Sequence, residues 1–195
     1  MKITQLPVPN FKKGRDSVIK GVCVHVGEGN RNQIYSTFLN EEKSSHYLVN
    51  RDGSVWQFVQ EKDTAWASGK LVRPSSVLVM NNPKLNPNEY LVQIESEGYA
   101  TQEPTEELMN TLAELVEDIC RRNFIEITNL NIIPHKSIRA DKSCPGKIDT
   151  TKIVRMAQKI REDNTRQLTP QEESYFLGII KDLYAQIIEL IKRAK

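Results

Sequence analysis

The 195-residue chain predicts an α/β domain, a central mixed sheet flanked by helices, followed by one long amphipathic helix. Three observations carry this prediction. Short Val/Ile-rich runs alternate with segments of helical apolar spacing, an Asp-Gly pair separates two β-favouring runs, and the last 27 or so residues carry a heptad pattern of apolar side chains. In chain order, Ser17 to Val26 reads as a buried strand ending at His25, followed by a Gly/Asn-rich turn, Gly27 to Asn30. Gln33 to Leu39 carries enough apolar residues for a short helix. Ser45 to Val49 and Ser54 to Val59 flank Asn50-Arg51-Asp52-Gly53, a hairpin signal. Thr64 to Pro87, with three prolines, reads as a long surface loop. Tyr90 to Glu95 is a further core strand, and Thr105 can cap a helix whose Leu108, Leu112, Leu115 and Ile119 fall on one face. Ile127 to Ile133 is a strand stopped by Pro134, and Thr150 to Ile160 is helical again.

The C-terminal segment stands apart. Thr169-Pro170-Gln171-Glu172 combines an N-cap, a proline at the first helical position and a capping-box glutamate. Phe176, Ile180, Leu183, Ile187 and Leu190 then alternate spacings of four and three, flanked by Ile179, Ile188 and Ile191. Both packing back onto the domain and association with another copy satisfy that seam, which is at the lower length limit for a coiled coil.

Composition narrows the function classes. At 38% hydrophobic and 27% charged, with a formal net charge of +2, the chain has the profile of a soluble globular protein. The charge balance argues against nucleic acid as a partner. No apolar run approaches the ~18 residues of a spanning helix, so membrane insertion is not expected. Met1 to Asn10 contains Pro7 and Pro9 and lacks the apolar stretch of a secretory signal, so the protein is expected to be cytoplasmic as synthesised.

Three widely spaced cysteines make a poor disulfide framework. Cys23 and Cys120 sit in apolar contexts and read as small core residues; Cys144 sits in a polar loop. His25 and His135 each follow an apolar strand, at a separation of 110 residues that carries no ligand signature. A hydrogen-bonded structural role fits either histidine alone. Together with Cys144 they suit zinc, which accepts two imidazoles and a thiolate and leaves a fourth position for water.

Around these residues the sequence resembles the type 2 N-acetylmuramoyl-L-alanine amidases, the family of phage lytic amidases and animal peptidoglycan recognition proteins. The markers run in order from about Ser17 to Ile160: GVCVHV, Ser-His-Tyr-Leu-Val, Val-Gln-Ile-Glu-Ser-Glu-Gly, a long helix, Ile-Ile-Pro-His and Lys-Ser-Cys-Pro-Gly. The resemblance implies a zinc amidase catalytic domain over residues 1–163 and a C-terminal helix over 164–195 for packing or oligomerisation. It implies zinc as cofactor on His25, His135 and Cys144, with catalytic roles for Tyr47, Glu95 and Lys142. The tyrosine is expected to face the metal, which leaves His46, its neighbour on a period-two strand, as a structural residue. Glu95 also fits a buried strand carboxylate and Lys142 a solvated loop charge; nothing in the sequence decides for Glu97. Where many members carry Trp-His-Ala-Gly, this chain has Trp66-Ala67-Ser68-Gly69, which puts subsite contacts in doubt. The implied activity is hydrolysis of the amide between N-acetylmuramic acid and L-alanine, with peptidoglycan or muropeptides as substrate. The leading role is a phage or prophage endolysin released through a separate pore. A cytosolic amidase recycling muropeptides and a non-catalytic peptidoglycan-binding module are the alternatives, the second disfavoured by the presence of Cys144.

Overall fold

The computed structural model describes residues 2–165 and 170–193, which fall into two compact units, Met1–Arg161 and Glu162–Lys195. The first unit holds eight strands, three α-helices and all but the last three residues of a fourth. They are β1 (Ile3–Gln5), β2 (Phe11–Lys12), β3 (Gly21–Val24), α1 (Arg31–Asn40), β4 (Tyr47–Val49), β5 (Val55–Gln57), β6 (Thr64–Ala65), α2 (Val77–Met80), β7 (Leu91–Ser96), α3 (Glu106–Arg122), β8 (Ile132–Pro134) and α4 (Thr150–Asn164). Six strands form one mixed sheet in the order β1-β5-β4-β7-β3-β8, and β2 and β6 pair separately. All neighbours in the large sheet are parallel except β4 and β5, the predicted hairpin. Gly53 closes that hairpin at φ +79°, a left-handed conformation that Asp-Gly supplies.

The sheet buries both faces, as a mostly parallel sheet must. On one face Val22, Val24, Val49, Val92, Ile94 and Ile132 pack against α3 and α4. Helix α3 presents Leu108, Leu112, Leu115 and Ile119 to the core, all fully buried, and its first turn is capped by Thr105, whose hydroxyl accepts from the Leu108 N–H at 3.2 Å. On the other face two smaller clusters lie apart. Leu48 and Phe58 pack with Ile34 and Phe38 of α1, while Cys23, Leu91 and Ile133 pack with Val79 of α2, Tyr90 and Ile138. Polar side chains of β3 and β7 occupy the same face: His25, Gln93 and Glu95, all buried. Cys23 and Cys120 are core residues, and all three thiols are free.

Three expectations change. Thr64 to Pro87 is not loop throughout: β6 pairs with β2, and α2 is a single turn capped by Ser76. Elements of two and four residues are too short to show a period. The strand expected over 127–133 begins only at Ile132 and includes Pro134, which lacks an N–H but sits on the edge strand β8, where the ladder needs none from its outer side. The N-terminal segment contributes β1, parallel to β5, which no sequence signal announced.

In the second unit, α5 (Pro170–Arg193) is a 24-residue helix. Thr169, the expected N-cap, lies outside the described residues, as do the side chains of Gln171, Glu172, Phe176 and Leu190. Of the heptad seam, Ile180, Leu183 and Ile187 are exposed. No helix among the described residues is long and apolar enough to cross a membrane.

Candidate active site

Parallel pairing assembles the site. Val24 of β3 is in register with Pro134 of β8 on one side and with Ile94 of β7 on the other. One residue further on, at the C-terminal ends of the three strands, come His135, His25 and Glu95, side by side; ligand sites of open α/β sheets form at such ends. The His25 N–H extends the ladder by donating to the Ile94 carbonyl at 2.8 Å, and the two imidazole centroids are 4.4 Å apart. Cys144 enters from the loop after β8. The Lys136 N–H donates to its carbonyl at 2.8 Å, and the Val26 N–H donates to its sulfur at 3.2 Å. Gly146, at φ +64°, lets this loop lie against Ala100, whose backbone a Cβ would overlap.

The ligand atoms of His25, His135 and Cys144 lie within 4.8 Å of one another. They sit in a cavity of about 590 Å³ that also exposes Glu95, Lys142, Arg139, Glu28, Phe38 and Trp66. Burial, reinforced by the neighbouring His135, lowers the His25 pKa to about 3, and burial lowers that of His135 as well. Both rings are therefore neutral at neutral pH, as ligation requires. Burial pushes the Cys144 thiol up, with Glu95 adding to the effect and the Val26 N–H opposing it. Burial, with the charge of Glu28, raises Glu95 to about 8. Its Oε2 is buried without a hydrogen-bond partner. The Nε2 atoms of both histidines are occupied by protein acceptors, Gln93 Oε1 at 2.8 Å and the Ser68 carbonyl at 3.2 Å. Two bare ring nitrogens and a thiol are a donor set that would suit a zinc with an open fourth position, and the unpartnered carboxyl oxygen of Glu95 lies beside them.

Tyr47 is a correction. It pairs with Ile94, not Glu95, so it points to the face covered by α3, where it belongs to the apolar core. Its hydroxyl donates to Glu61 at 2.6 Å and accepts from Gln57 at 3.1 Å, while Glu61 is clamped by Arg122 of α3. Burial and the Glu61 carboxylate hold the phenol well above its usual range. His46 does face the same side as His25, yet its ring is tied down, accepting from the Gln93 N–H at 2.9 Å beside the Asp63 carbonyl at 3.1 Å. The two strand acids separate cleanly. Glu97 accepts from the Arg31 and Arg51 N–H groups and pairs with the Arg31 guanidinium. Burial alone would raise its pKa, but these donors hold it below the usual carboxylate range. Glu95 has no such partners and opens on the cavity.

Lys142 and Trp66 are both exposed on the cavity wall. Sequence reasoning missed Glu28, Arg139, Asn88 and Gln93. Only Gln93 left a signal, an amide inside the apolar run YLVQIE; the others belong to turns whose approach to the site is decided by the fold.

Comparison with known proteins agrees with this fold. The family described as N-acetylmuramoyl-L-alanine amidase matches residues 15–147. No curated protein sequence matches the chain. Among solved structures, a selenomethionine derivative of AmpD superimposes with a TM-score of 0.62 at 20% identity, covering 79% of this chain and 93% of that one. The endolysin amidase LysCS from Clostridium intestinale gives a TM-score of 0.58 at 15% identity, over 82% of this chain and 95% of that one. The Escherichia coli amidase AmiD, solved with anhydro-N-acetylmuramic acid-L-Ala-D-γ-Glu-L-Lys, gives 0.59 at 20% identity, over 80% and 68%. At these identities the likeness is one of fold.

Proposed function

Because this chain belongs to the N-acetylmuramoyl-L-alanine amidase family and is a peptidoglycan amidase, we propose that it is zinc-dependent and acts as a phage or prophage endolysin. The observation that carries the zinc reading is the convergence of the His25, His135 and Cys144 ligand atoms beside the unpartnered oxygen of Glu95. His25, His135 and Cys144 would hold zinc, which when bound would polarise the scissile carbonyl and bring the pKa of water down to about 7. Glu95, ionised once the charge of a bound cation offsets its burial, accepts the proton of the attacking water at Oε2. Lys142 faces the developing oxyanion and stabilises it, and the proton on Glu95 passes to the departing L-alanine amine. Phe38 and Trp66 supply apolar walls for the substrate, with Ala67 leaving room where many relatives carry histidine.

Cys144→Ser is expected to lower zinc content and amide cleavage together. Full cleavage by the metal-stripped chain would refute the zinc reading. The endolysin role is supported by the similarity in fold to an amidase described as an endolysin. In that role the protein reaches the wall through a pore made by another protein. Loss of turbidity of intact sacculi is expected; cleavage confined to soluble muropeptides would assign it to recycling instead. The seam on α5 is read as a contact with a second copy, which would raise avidity for the wall by presenting several catalytic heads.

A further inference from the structure

Resting on the zinc reading above, we propose that Gln93 is a positioning residue: with Asn88 and the Trp66–Gly69 turn it sets the proton tautomer of the ligand imidazoles and so presents Nδ1 of both to the metal. The argument is one of donors and acceptors. The backbone N–H groups of Ala67 and Ser68 donate to Asn88 Oδ1 at 3.2 and 2.9 Å. That oxygen, fixed as an acceptor, also receives Gln93 Nε2 at 3.1 Å, and the second Gln93 N–H donates to Ser68 Oγ at 2.8 Å. The Gln93 amide therefore has one orientation, with Oε1 towards His25 Nε2 at 2.8 Å. A carbonyl oxygen only accepts, so His25 must carry its proton on Nε2, and its Nδ1 is bare.

The same turn acts on the second ring. The Ser68 carbonyl lies 3.2 Å from His135 Nε2, which must donate to it, leaving His135 Nδ1 bare as well. Ser68 and Gln93 are fully buried and Asn88 nearly so, so water does not compete for these bonds. Gln93 reaches this position because it pairs with Cys23 in β3, two residues before His25 on the same face. An amide is required there. A carboxylate would set like acceptors against Asn88 Oδ1, and an aliphatic side chain would leave His25 Nε2 without an acceptor.

The test reads the tautomer directly, by ¹⁵N NMR of the imidazoles in the metal-free chain, together with zinc affinity by competition against a chelator. In the natural sequence His25 and His135 are expected as Nε2–H tautomers. Gln93→Met is expected to give His25 a mixture of tautomers, to leave His135 unchanged, and to weaken zinc binding about tenfold or more. Nδ1–H at His25 in the natural sequence would overturn the proposal, as would a Gln93→Met chain with unchanged tautomer and zinc affinity. The spectrum of the natural sequence decides the assignment by itself if Gln93→Met does not fold. A natural chain that binds no zinc yet shows both Nε2–H tautomers would refute the metal reading while leaving the hydrogen-bond assignment standing.

Discussion

Replacing Glu95 by glutamine should stabilise the metal-free protein, and by an amount that grows with pH. Burial and the charge of Glu28 raise this carboxyl from 4.5 to about 8. In the unfolded chain the same group loses its proton near the ordinary value. Between the two pKa values the unfolded state is ionised while the folded state still holds the proton, so raising the pH favours unfolding. Stability tied to this group is complete below the unfolded value and is lost as the pH rises towards the folded one. From pH 5 to pH 8 the loss is on the order of 3 kcal/mol at 1.36 kcal/mol per pKa unit. Glutamine does not titrate and escapes it. The assay is urea denaturation of chelator-treated protein and variant at both pH values, under otherwise identical conditions. His25, His46 and His135 titrate alike in both proteins and cancel in the difference. A gap between variant and natural chain that stays constant from pH 5 to pH 8 would refute the claim that this carboxyl is buried without compensation. In the zinc-loaded enzyme the same substitution should abolish turnover while leaving the metal bound.

Lys142→Ala should retain zinc and lose about 100-fold in kcat, the scale of a lost oxyanion donor; unchanged kcat would remove it from the mechanism. Gly146→Ala should cost at least about 2 kcal/mol, because φ +64° and the overlap with the Ala100 backbone both oppose a Cβ; an unchanged denaturation midpoint would contradict that. Leu183→Asp with Ile187→Asp should reduce the mass measured by light scattering without changing cleavage of soluble muropeptides, and an unchanged mass would dismiss pairing through α5.

Much of this protein was legible residue by residue wherever the signal is local. The hairpin at Asp52-Gly53 follows from turn stereochemistry, the buried face of α3 from its spacing and cap, and the core status of Cys23 and Cys120 from their apolar neighbours. The ordered motifs around His25, His135 and Cys144 identified the three residues that the fold brings together. Other features carried no local signal. β1, β2 and β6 are two or three residues long and lack both a longer apolar run and a turn signal such as Asp52-Gly53, so they were invisible. The strand end at His25 was placed correctly, but the strand itself is only four residues long.

Amino-acid order alone thus determined the α/β class, the order of the main elements and the identity of the candidate ligands, because periodicity, turn chemistry and motif order are properties of neighbours in the chain. Only the tertiary structure decided which side chains face the site. Tyr47 and Leu48 differ by one residue, and the register of β4 against β7 sends the tyrosine to Glu61 beneath α3 while Leu48 stands beside Glu95. Glu95 and Glu97 are only two residues apart at the end of β7, yet the backbone N–H groups that claim Glu97 come from the start of α1 and from the hairpin after β4, both distant in sequence. The role of Gln93 likewise depends on Asn88 and Ser68, which meet it only in the folded chain. A side chain's chemistry here is set by its through-space donors and acceptors, and pairing register, invisible in a single strand's sequence, determines which of them it meets.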